Sequence, residues 1–427
     1  MNVTIKPSRR ISGRLRLPGD KSISHRVAML GAIAEGVTRI SNFATSQDCH
    51  STLACLRSLG VSINAEANHR VTIQGRGLSG LQPSTRTLDA ENSGSTIRML
   101  SGILAGQRFT TRISGDESLQ RRPMKRIMTP LTEMGARIEA TQEDYPPLTI
   151  HGGALRPIRY ELPIASAQVK SAILLAGLYA EGETTVVEPI LTRNHTELAL
   201  RGFGGEVHTA ENTASIRGRK KLCGIEITVP GDVSSAAFFV GAATLVSGSD
   251  LFLTDVGLNS GRRGILDLLV EMGASIEISG NRLHGGEPVA DLRVRPAALR
   301  GGKIGGPQIP QVIDEVPILS VLATQSEEGM EIRDARELRV KESDRIRSVV
   351  ENLRAMGARV EEFQDGLAIP GRQRLHGAAV KTFGDHRIAM AFAVAGLVAD
   401  GETVIEGAEC AGVSFPNFFS VLEELRS

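Results

Sequence analysis

Lys21, Arg26, Arg98, Arg121, Arg122, Lys341, Arg345 and Arg387 stand at one phase of a long internal pattern, in or just after polar turns that precede apolar stretches. Arginine can hold a carboxylate or phosphate through two parallel hydrogen bonds, and lysine adds a mobile point charge. Set among these cations are a few acids. Asp314-Glu315 lies inside the apolar frame Val312-Ile313 and Val316-Pro317-Ile318-Leu319. A carboxylate there is costly to bury without a partner, so the pair reads either as a helix cap or as a general base. Glu342, in Lys341-Glu342-Ser343-Asp344-Arg345, reads as an ionised base between two cations, or as a proton donor if buried. The same five residues also suit a capped helix start, with Ser343 or Asp344 as the cap. His386, alone at a helix start, reads as structural. No His pair has metal-ligand spacing, and Cys49, Cys55, Cys223 and Cys410 form neither a CxxC pair nor a zinc pattern, so no metal is expected. Lys21-Ser22 has the ending of a phosphate-binding P-loop, but Asp20 stands where that loop needs glycine.

These residues must be carried by repeated elements. Six times a Gly/Ser/Asp-rich opener precedes an apolar helix, a stop glycine and a Thr/Val/Ile strand. The openers start at Pro18, Asn92, Ser166, Pro230, Ile313 and Gly384, and the stop glycines are Gly36, Gly106, Gly182, Gly248, Gly329 and Gly401. Each glycine is the expected left-handed helix cap. In the first helix Val27, Leu30 and Ile33 follow a helical period, with Ala28, Gly31 and Ala32 allowing close packing. A second helix in each of the first five copies ends in a Leu-x-x-Met/Leu-Gly-Ala-like phrase, followed by a strand such as Val71-Thr72-Ile73. The sixth copy has no room for this half and ends on a helix over Pro416–Arg426, its missing strand supplied by the N-terminus. Helix N-termini carry unpaired N–H groups worth roughly half a positive charge each, so six facing one cleft would supply on the order of three. The phrase Pro-Gly-Asp occurs at 18–20 and 230–232, as if opening two domains of three repeats each. The expected domains are 19–229, and 230–427 completed by strand 1–18, with the site in the cleft between them.

Composition sets outer bounds. The chain has 427 residues, 41% hydrophobic and 23% charged, and a net charge of +1, so cationic character is local and general affinity for nucleic acid is not expected. Aromatic residues make up 4% with no Trp, which leaves few platforms for stacking bases. No apolar run reaches membrane-spanning length, and Met1-Asn2-Val3-Thr4-Ile5 reads as a strand rather than a targeting segment, so a cytoplasmic protein is expected.

Five phrases carry a family resemblance. They are Pro18-Gly19-Asp20-Lys21-Ser22-Ile23-Ser24-His25-Arg26, Asn92-Ser93-Gly94-Ser95-Thr96-Ile97-Arg98, Arg122-Pro123-Met124, Arg339-Val340-Lys341-Glu342-Ser343-Asp344-Arg345 and Gly384-Asp385-His386-Arg387-Ile388-Ala389-Met390. In this order they closely resemble the 5-enolpyruvylshikimate-3-phosphate synthase family, and Ser166-Ala167-Gln168-Val169-Lys170-Ser171 is similar to its bacterial class II branch. The resemblance implies an α/β enolpyruvyl transferase fold: two domains, each of three βαβαββ repeats in an inverse α/β barrel, with the N-terminal strand in the C-terminal domain. It implies transfer of the enolpyruvyl group of phosphoenolpyruvate to the 5-hydroxyl of shikimate 3-phosphate, with release of phosphate, no cofactor, and a monomer in the shikimate pathway to chorismate and the aromatic amino acids.

By the same resemblance Lys21, Ser22, Arg26, Ser166, Gln168, Asp314 and Lys341 hold shikimate 3-phosphate, and Lys21, Gly94, Arg122, Gln168, Arg345 and Arg387 hold phosphoenolpyruvate. The chemistry needs one group that gives and takes a proton on carbon, and another that accepts a proton from the hydroxyl. Asp314 is the candidate for the hydroxyl proton, and Glu342 and Lys21 are both candidates for the carbon proton. Gly94 would give room to phosphoenolpyruvate-like inhibitors such as glyphosate. Three positions depart from the family pattern: Val413 where many relatives have Lys, Asn194 where they often have Asp, and Glu337 where some have Asn. These bear on affinity rather than reaction class. The sister transferase acting on UDP-N-acetylglucosamine usually carries a Cys near residues 110–125, and Phe109–Lys125 has none. A non-catalytic clamp of α/β repeats around nucleic acid would call for a strongly basic surface, and an RNA-end cyclase for a nucleotide-linked His and ATP.

Overall fold

Five of the six openers contain a side chain that caps the helix that follows. Asp20 accepts a hydrogen bond from the Ile23 amide (2.9 Å), Ser93 from Thr96 (3.1 Å) and Ser166 from Val169 (3.4 Å). Asp232 accepts from Ser234 and Asp385 from Arg387, each at 2.9 Å. Short oxygen side chains at this position satisfy amides that the helix itself leaves unpaired. The computed structural model describes residues 1–426 and starts the helices at Lys21–Ile33, Gly94–Ala105, Ala167–Gly177, Val233–Leu245 and His386–Val398. The fifth opener behaves differently. Ile313–Glu315 is a 3₁₀ turn that runs into the helix Val316–Gln325, with Pro317 at its start and no side-chain cap. Glu315 stands at the N-cap position of that helix, but its side chain does not cap it.

The first helix is buried over Ile23–Ile33, the fourth over Val233–Thr244 and the sixth over His386–Leu397. The expected apolar stripe on Lys21–Ile33 is thus part of a helix buried on all sides, with Ser24, His25 and Arg26 enclosed in its first turns. Small residues permit the crossings: a Cβ on Gly102 would lie 2.2 Å from the Ala172 carbonyl oxygen.

The stop glycines do not act as expected. Gly106 is a C-cap with φ −89°, Gly248 also lacks a positive φ, and the other four lie beyond their helix ends. The left-handed caps sit instead on the second helices, where Gly60, Gly135, Gly204, Gly273 and Gly357 have φ from 83° to 105°. At Gly204 the geometry is complete: Gly205 N bonds to Leu200 O (2.7 Å) and Gly204 N to Arg201 O (3.0 Å). This paired arrangement returns two orphan carbonyls to partners, and only glycine adopts its φ without strain.

Among the described residues the strands form six sheets, five of four strands and one of three. Each follows one plan: a lead strand parallel to the strand after the buried helix, then a hairpin of antiparallel strands. In the second sheet Leu88–Asp89 lies parallel to Thr110–Ser114, which pairs with Tyr145–His151, and that strand with Arg137–Thr141. Two lead strands come from elsewhere in the chain. Glu226–Thr228 leads the sheet of Val37–Ser41, and Ser12–Arg16 leads the sheet of Asp250–Gly257. The three-stranded sheet is the sixth, where Asn2–Ile5 pairs antiparallel with Thr403–Glu406 in place of a hairpin. The last helix runs Phe418–Arg426.

The chain divides into two compact units. One contains Gly19–Pro230 with Leu283–Glu287; the other contains Met1–Pro18, Gly231–Arg282 and Pro288–Ser427. Each has its own apolar core. Among the described residues no helix is long and apolar enough to cross a membrane, and no three His, Cys, Asp or Glu side chains gather to hold a metal ion.

Candidate functional site

In the unit of Gly19–Pro230, the cap at Asp20 puts Lys21, Ser22 and Arg26 on the first turns of one helix. Lys21 Nζ donates to Asp48 Oδ2 at 2.8 Å, and Asp48 is held in the first turn of the helix Gln47–Ser58, which Ser46 caps. Arg26 is 3% exposed. Its guanidinium donates to Thr196 Oγ1 (2.6 Å), Ser171 Oγ (2.7 Å) and the Ser22 carbonyl (2.8 Å). Burial, and then the nearby Arg193, bring its pKa down to about 10, which leaves it charged at neutral pH. Arg193 Nη1 donates to Ser22 Oγ at 3.1 Å.

A second group forms around the helix starts at Gly94 and Ala167. Arg98 donates to Gln168 Oε1 (2.8 Å), and Gln168 Nε2 donates to Ser95 Oγ (3.0 Å). Arg122 donates to Asn92 Oδ1 (2.8 Å) and Ser118 Oγ (3.2 Å). A Cβ on Gly94 would lie 2.7 Å from Arg98 Nη1 and 3.6 Å from Arg122 Nη1, so the missing side chain leaves space beside both guanidinium groups. Ser166 caps the helix that bears Gln168. This unit thus brings Lys21, Ser22 and Arg26 onto one helix and Gly94, Arg122 and Gln168 into one cluster. Arg121 is outside it: its side chain is 80% exposed and pairs with Glu117.

In the other unit the focus is Arg345, 2% exposed at the start of the helix Arg345–Ala355. Asp344 caps that helix by accepting from Arg347 N, while Ser343 Oγ lies 3.2 Å from Asp385 Oδ2 instead. Arg345 donates to Asp385 Oδ2 (2.8 Å), Glu342 Oε2 (2.6 Å) and Asp314 Oδ1 (3.3 Å). Burial opposes its charge, but Asp385, Glu342 and Asp314 outweigh that and raise its pKa above the ordinary arginine value. Burial likewise opposes charge on Asp385, and Arg345 overcomes it, holding the carboxyl below the usual range. Lys341 Nζ is 3.5 Å from Asp314 Oδ1, and Arg387 Nη1 donates to the Asp314 carbonyl at 2.9 Å. Asp314, Lys341, Glu342, Arg345 and Arg387 are all joined in this cluster.

Several partners escape a reading of the sequence. Asp48 follows a capping Ser46, but nothing in the sequence pairs it with Lys21. Arg262 sits in the turn Asn259-Ser260-Gly261-Arg262-Arg263, whose Arg pair is its only signal. Asp385 is legible as a cap; its ion pair lies 40 residues away. Chemically, one cluster presents cations and helix-start amides, which suits anionic ligands. The other gathers the carboxylates of Asp314, Glu342 and Asp385 among cations, which keeps carboxylates ionised and so available to accept a proton beside anions.

Residues 5–422 match the family described as EPSP synthase (3-phosphoshikimate 1-carboxyvinyltransferase). The 3-phosphoshikimate 1-carboxyvinyltransferase of Solibacter usitatus is 57% identical over 425 residues, covering 100% of both chains. That of Desulforamulus reducens is 51% identical over 426 residues, covering 100% of this chain and 99% of the relative. The solved EPSP synthase of Acinetobacter baumannii superposes with a TM-score of 0.90 at 43% identity, over 100% of this chain and 98% of its own. The enolpyruvyl transferase NikO of Streptomyces tendae shares the fold, with a TM-score of 0.77 at 18% identity, over 99% of this chain and 96% of its own. By sequence along its whole length and by its fold, the chain belongs to the EPSP synthase family.

Proposed function

We propose that the two clusters divide the work of the family reaction, the transfer of the enolpyruvyl group from phosphoenolpyruvate to the 5-hydroxyl of shikimate 3-phosphate. Lys21, Ser22, Arg26, Ser166, Gln168, Asp314 and Lys341 take shikimate 3-phosphate. Lys21, Gly94, Arg122, Gln168, Arg345 and Arg387 take phosphoenolpyruvate. The observation that carries this reading is the setting of Asp314, whose carboxylate lies within 3.5 Å of both Arg345 and Lys341.

The steps follow from the balance of protons. A proton is added to the methylene carbon of phosphoenolpyruvate, which leaves positive character on the neighbouring carbon. The 5-hydroxyl oxygen bonds to that carbon and gives its proton to Asp314, forming a tetrahedral intermediate. A proton then leaves the new methyl group as the carbon–oxygen bond to phosphate breaks. Glu342 and Lys21 are the two candidates for the carbon proton, and the guanidinium groups place and neutralise the anions. Deuterium exchange into the methylene group, run with Glu342→Gln and Lys21→Met, separates the two.

Phosphate release from phosphoenolpyruvate, with and without shikimate 3-phosphate, tests the whole reading, with UDP-N-acetylglucosamine as control acceptor. Release with the shikimate ester alone supports it; release with the sugar nucleotide alone overturns it. A cytoplasmic monomer that binds no nucleic acid completes the proposal, supported by the family resemblance and a net charge of +1. Gel filtration at the 45.6 kDa of one chain checks the monomer.

A further inference from the structure

We infer that Arg262 is a positioning residue for Asp314, an inference that rests on the reading of Asp314 as the acceptor of the hydroxyl proton. Arg262 is 7% exposed. Its Nη2 donates to Ser234 Oγ (2.7 Å) and Asp232 Oδ1 (3.1 Å), and its Nη1 is 3.9 Å from Asp314 Oδ2. Arg345 and Lys341 face the other oxygen, Oδ1. The Ser234 hydroxyl donates in turn to Glu315 Oε1, which lies 3.5 Å from Arg387 Nη1, and Arg387 Nη1 donates to the Asp314 carbonyl. One guanidinium therefore closes a ring of contacts that meets Asp314 at both its carboxylate and its carbonyl.

Such a ring has work to do at this place in the fold. Asp314 is in a 3₁₀ turn, and the helix that follows it, with Glu315 at its N-cap position, has no side-chain cap. The turn that carries Arg262 is seated against the segment leading to Asp314: a Cβ on Gly264 would lie 2.9 Å from Gln311 Cβ. The charged groups around Asp314 are Arg262, Lys341, Arg345 and Arg387, with Asp232, Glu315, Glu342 and Asp385 as their partners. Removing one of the cations makes protonation of Asp314 easier, because a nearby positive charge favours the carboxylate. A purely structural arginine would lower stability without moving that titration.

The test is the pH profile of kcat in the full-length enzyme at saturating substrates, so that substrate ionisation is common to all variants. In Arg262→Gln the low-pH limb is expected to move up by about one pH unit. In Arg262→Lys the limb stays near the wild-type position, while kcat at the optimum falls about tenfold because the fork to Asp232 and Ser234 is lost. Asp314→Asn is measured alongside. If Asp314→Asn loses turnover by at least about a hundredfold but the limb of Arg262→Gln does not move, the inference is overturned and the role of Asp314 stands. If Asp314→Asn keeps near-normal turnover, the role of Asp314 falls and takes the inference with it. Should Arg262→Gln fail to fold, Arg262→Lys decides: unchanged kcat overturns the inference, and a tenfold loss with shikimate 3-phosphate affinity within about threefold supports it.

Discussion

Arg345 Nε lies 2.8 Å from Asp385 Oδ2, and the two side chains are 2% and 0% exposed. Neither charge can turn to water if the other is removed. Arg345→Met should therefore leave Asp385 buried with a charge it cannot discharge cheaply, while Glu342 and Asp314, both only partly buried, lose one cationic partner each. Breaking a buried pair in this way costs about 3–5 kcal/mol. Urea unfolding of the variant is expected to show that loss. A loss below about 1 kcal/mol would mean that the cluster is repaired by water or by local rearrangement.

Asp314→Ala is expected to lower turnover far more than it weakens shikimate 3-phosphate binding. A positioned general base contributes about 10²–10⁴-fold to the rate. Lys341, Arg345 and Arg387 remain in place to attract the anions, so the dissociation constant measured by calorimetry should change by less than about tenfold. Near-normal turnover would remove Asp314 from proton transfer.

The caps are legible in the sequence because they are local: Asp20, Ser93, Ser166, Asp232 and Asp385 act on amides two or three residues ahead. Family motifs also make the individual cations of the clusters legible. What the sequence does not reveal is the set of partners across repeats. Asp48 for Lys21, and Arg262 for Asp232 and Asp314, depend on how separate helix starts meet, and no short spacing encodes that. The stop glycines mislead for a related reason. A glycine after an apolar run reads as the cap of the nearest helix, but at Gly36 and Gly401 it shapes the turn into the next strand. The left-handed caps belong to the more polar second helices, whose Leu-x-x-Met/Leu-Gly-Ala-like phrase carries the right signal.

Gly204 provides a clean test of that assignment. Its φ is +87°, and a Cβ there would meet nothing within 4 Å, so Gly204→Ala carries backbone strain without a clash. The expected loss is about 1–2 kcal/mol. A Cβ on Gly153 would likewise meet nothing within 4 Å, but the φ of Gly153 is not positive. Gly153→Ala therefore serves as the control and should change stability by less than about 0.5 kcal/mol. Equal losses in the two variants would assign the cost to something other than φ.

His25 gives the fold a dependence on pH that can be isolated. It is fully buried, with Nδ1 2.7 Å from Thr52 Oγ1, and burial, then Lys21 and Arg26, hold its pKa well below 6.5. In the unfolded chain the same ring takes up a proton near pH 6.5. Below that pH the unfolded state therefore binds more protons than the folded one, and stability falls as pH falls; well above it both forms are neutral and the contribution is flat. Asp385, held below its ordinary 3.8, begins to add its own loss only at lower pH. Between pH 7 and 5 the thermal midpoint of the wild type should drop more than that of His25→Gln. Parallel curves would exclude His25 as the source.

Gly94→Ala should weaken inhibition by glyphosate more than it slows turnover. The new methyl group would lie 2.7 Å from Arg98 Nη1 and 3.6 Å from Arg122 Nη1, in the space beside the guanidinium groups proposed to hold phosphoenolpyruvate. Arg98 can withdraw, because the conflicting atom is the end of a long side chain, so the fold should tolerate the change. Its withdrawal would loosen the bond to Gln168 and raise the KM for phosphoenolpyruvate by a few fold. An inhibitor larger than the substrate has less room to shift around a methyl group, and overpacking of a filled site costs about 1–3 kcal/mol, equivalent to roughly 5- to 150-fold in affinity. Inhibition constants and KM measured on both proteins check this. A change in the inhibition constant no greater than the change in KM would show that the space beside Gly94 does not discriminate between the two ligands.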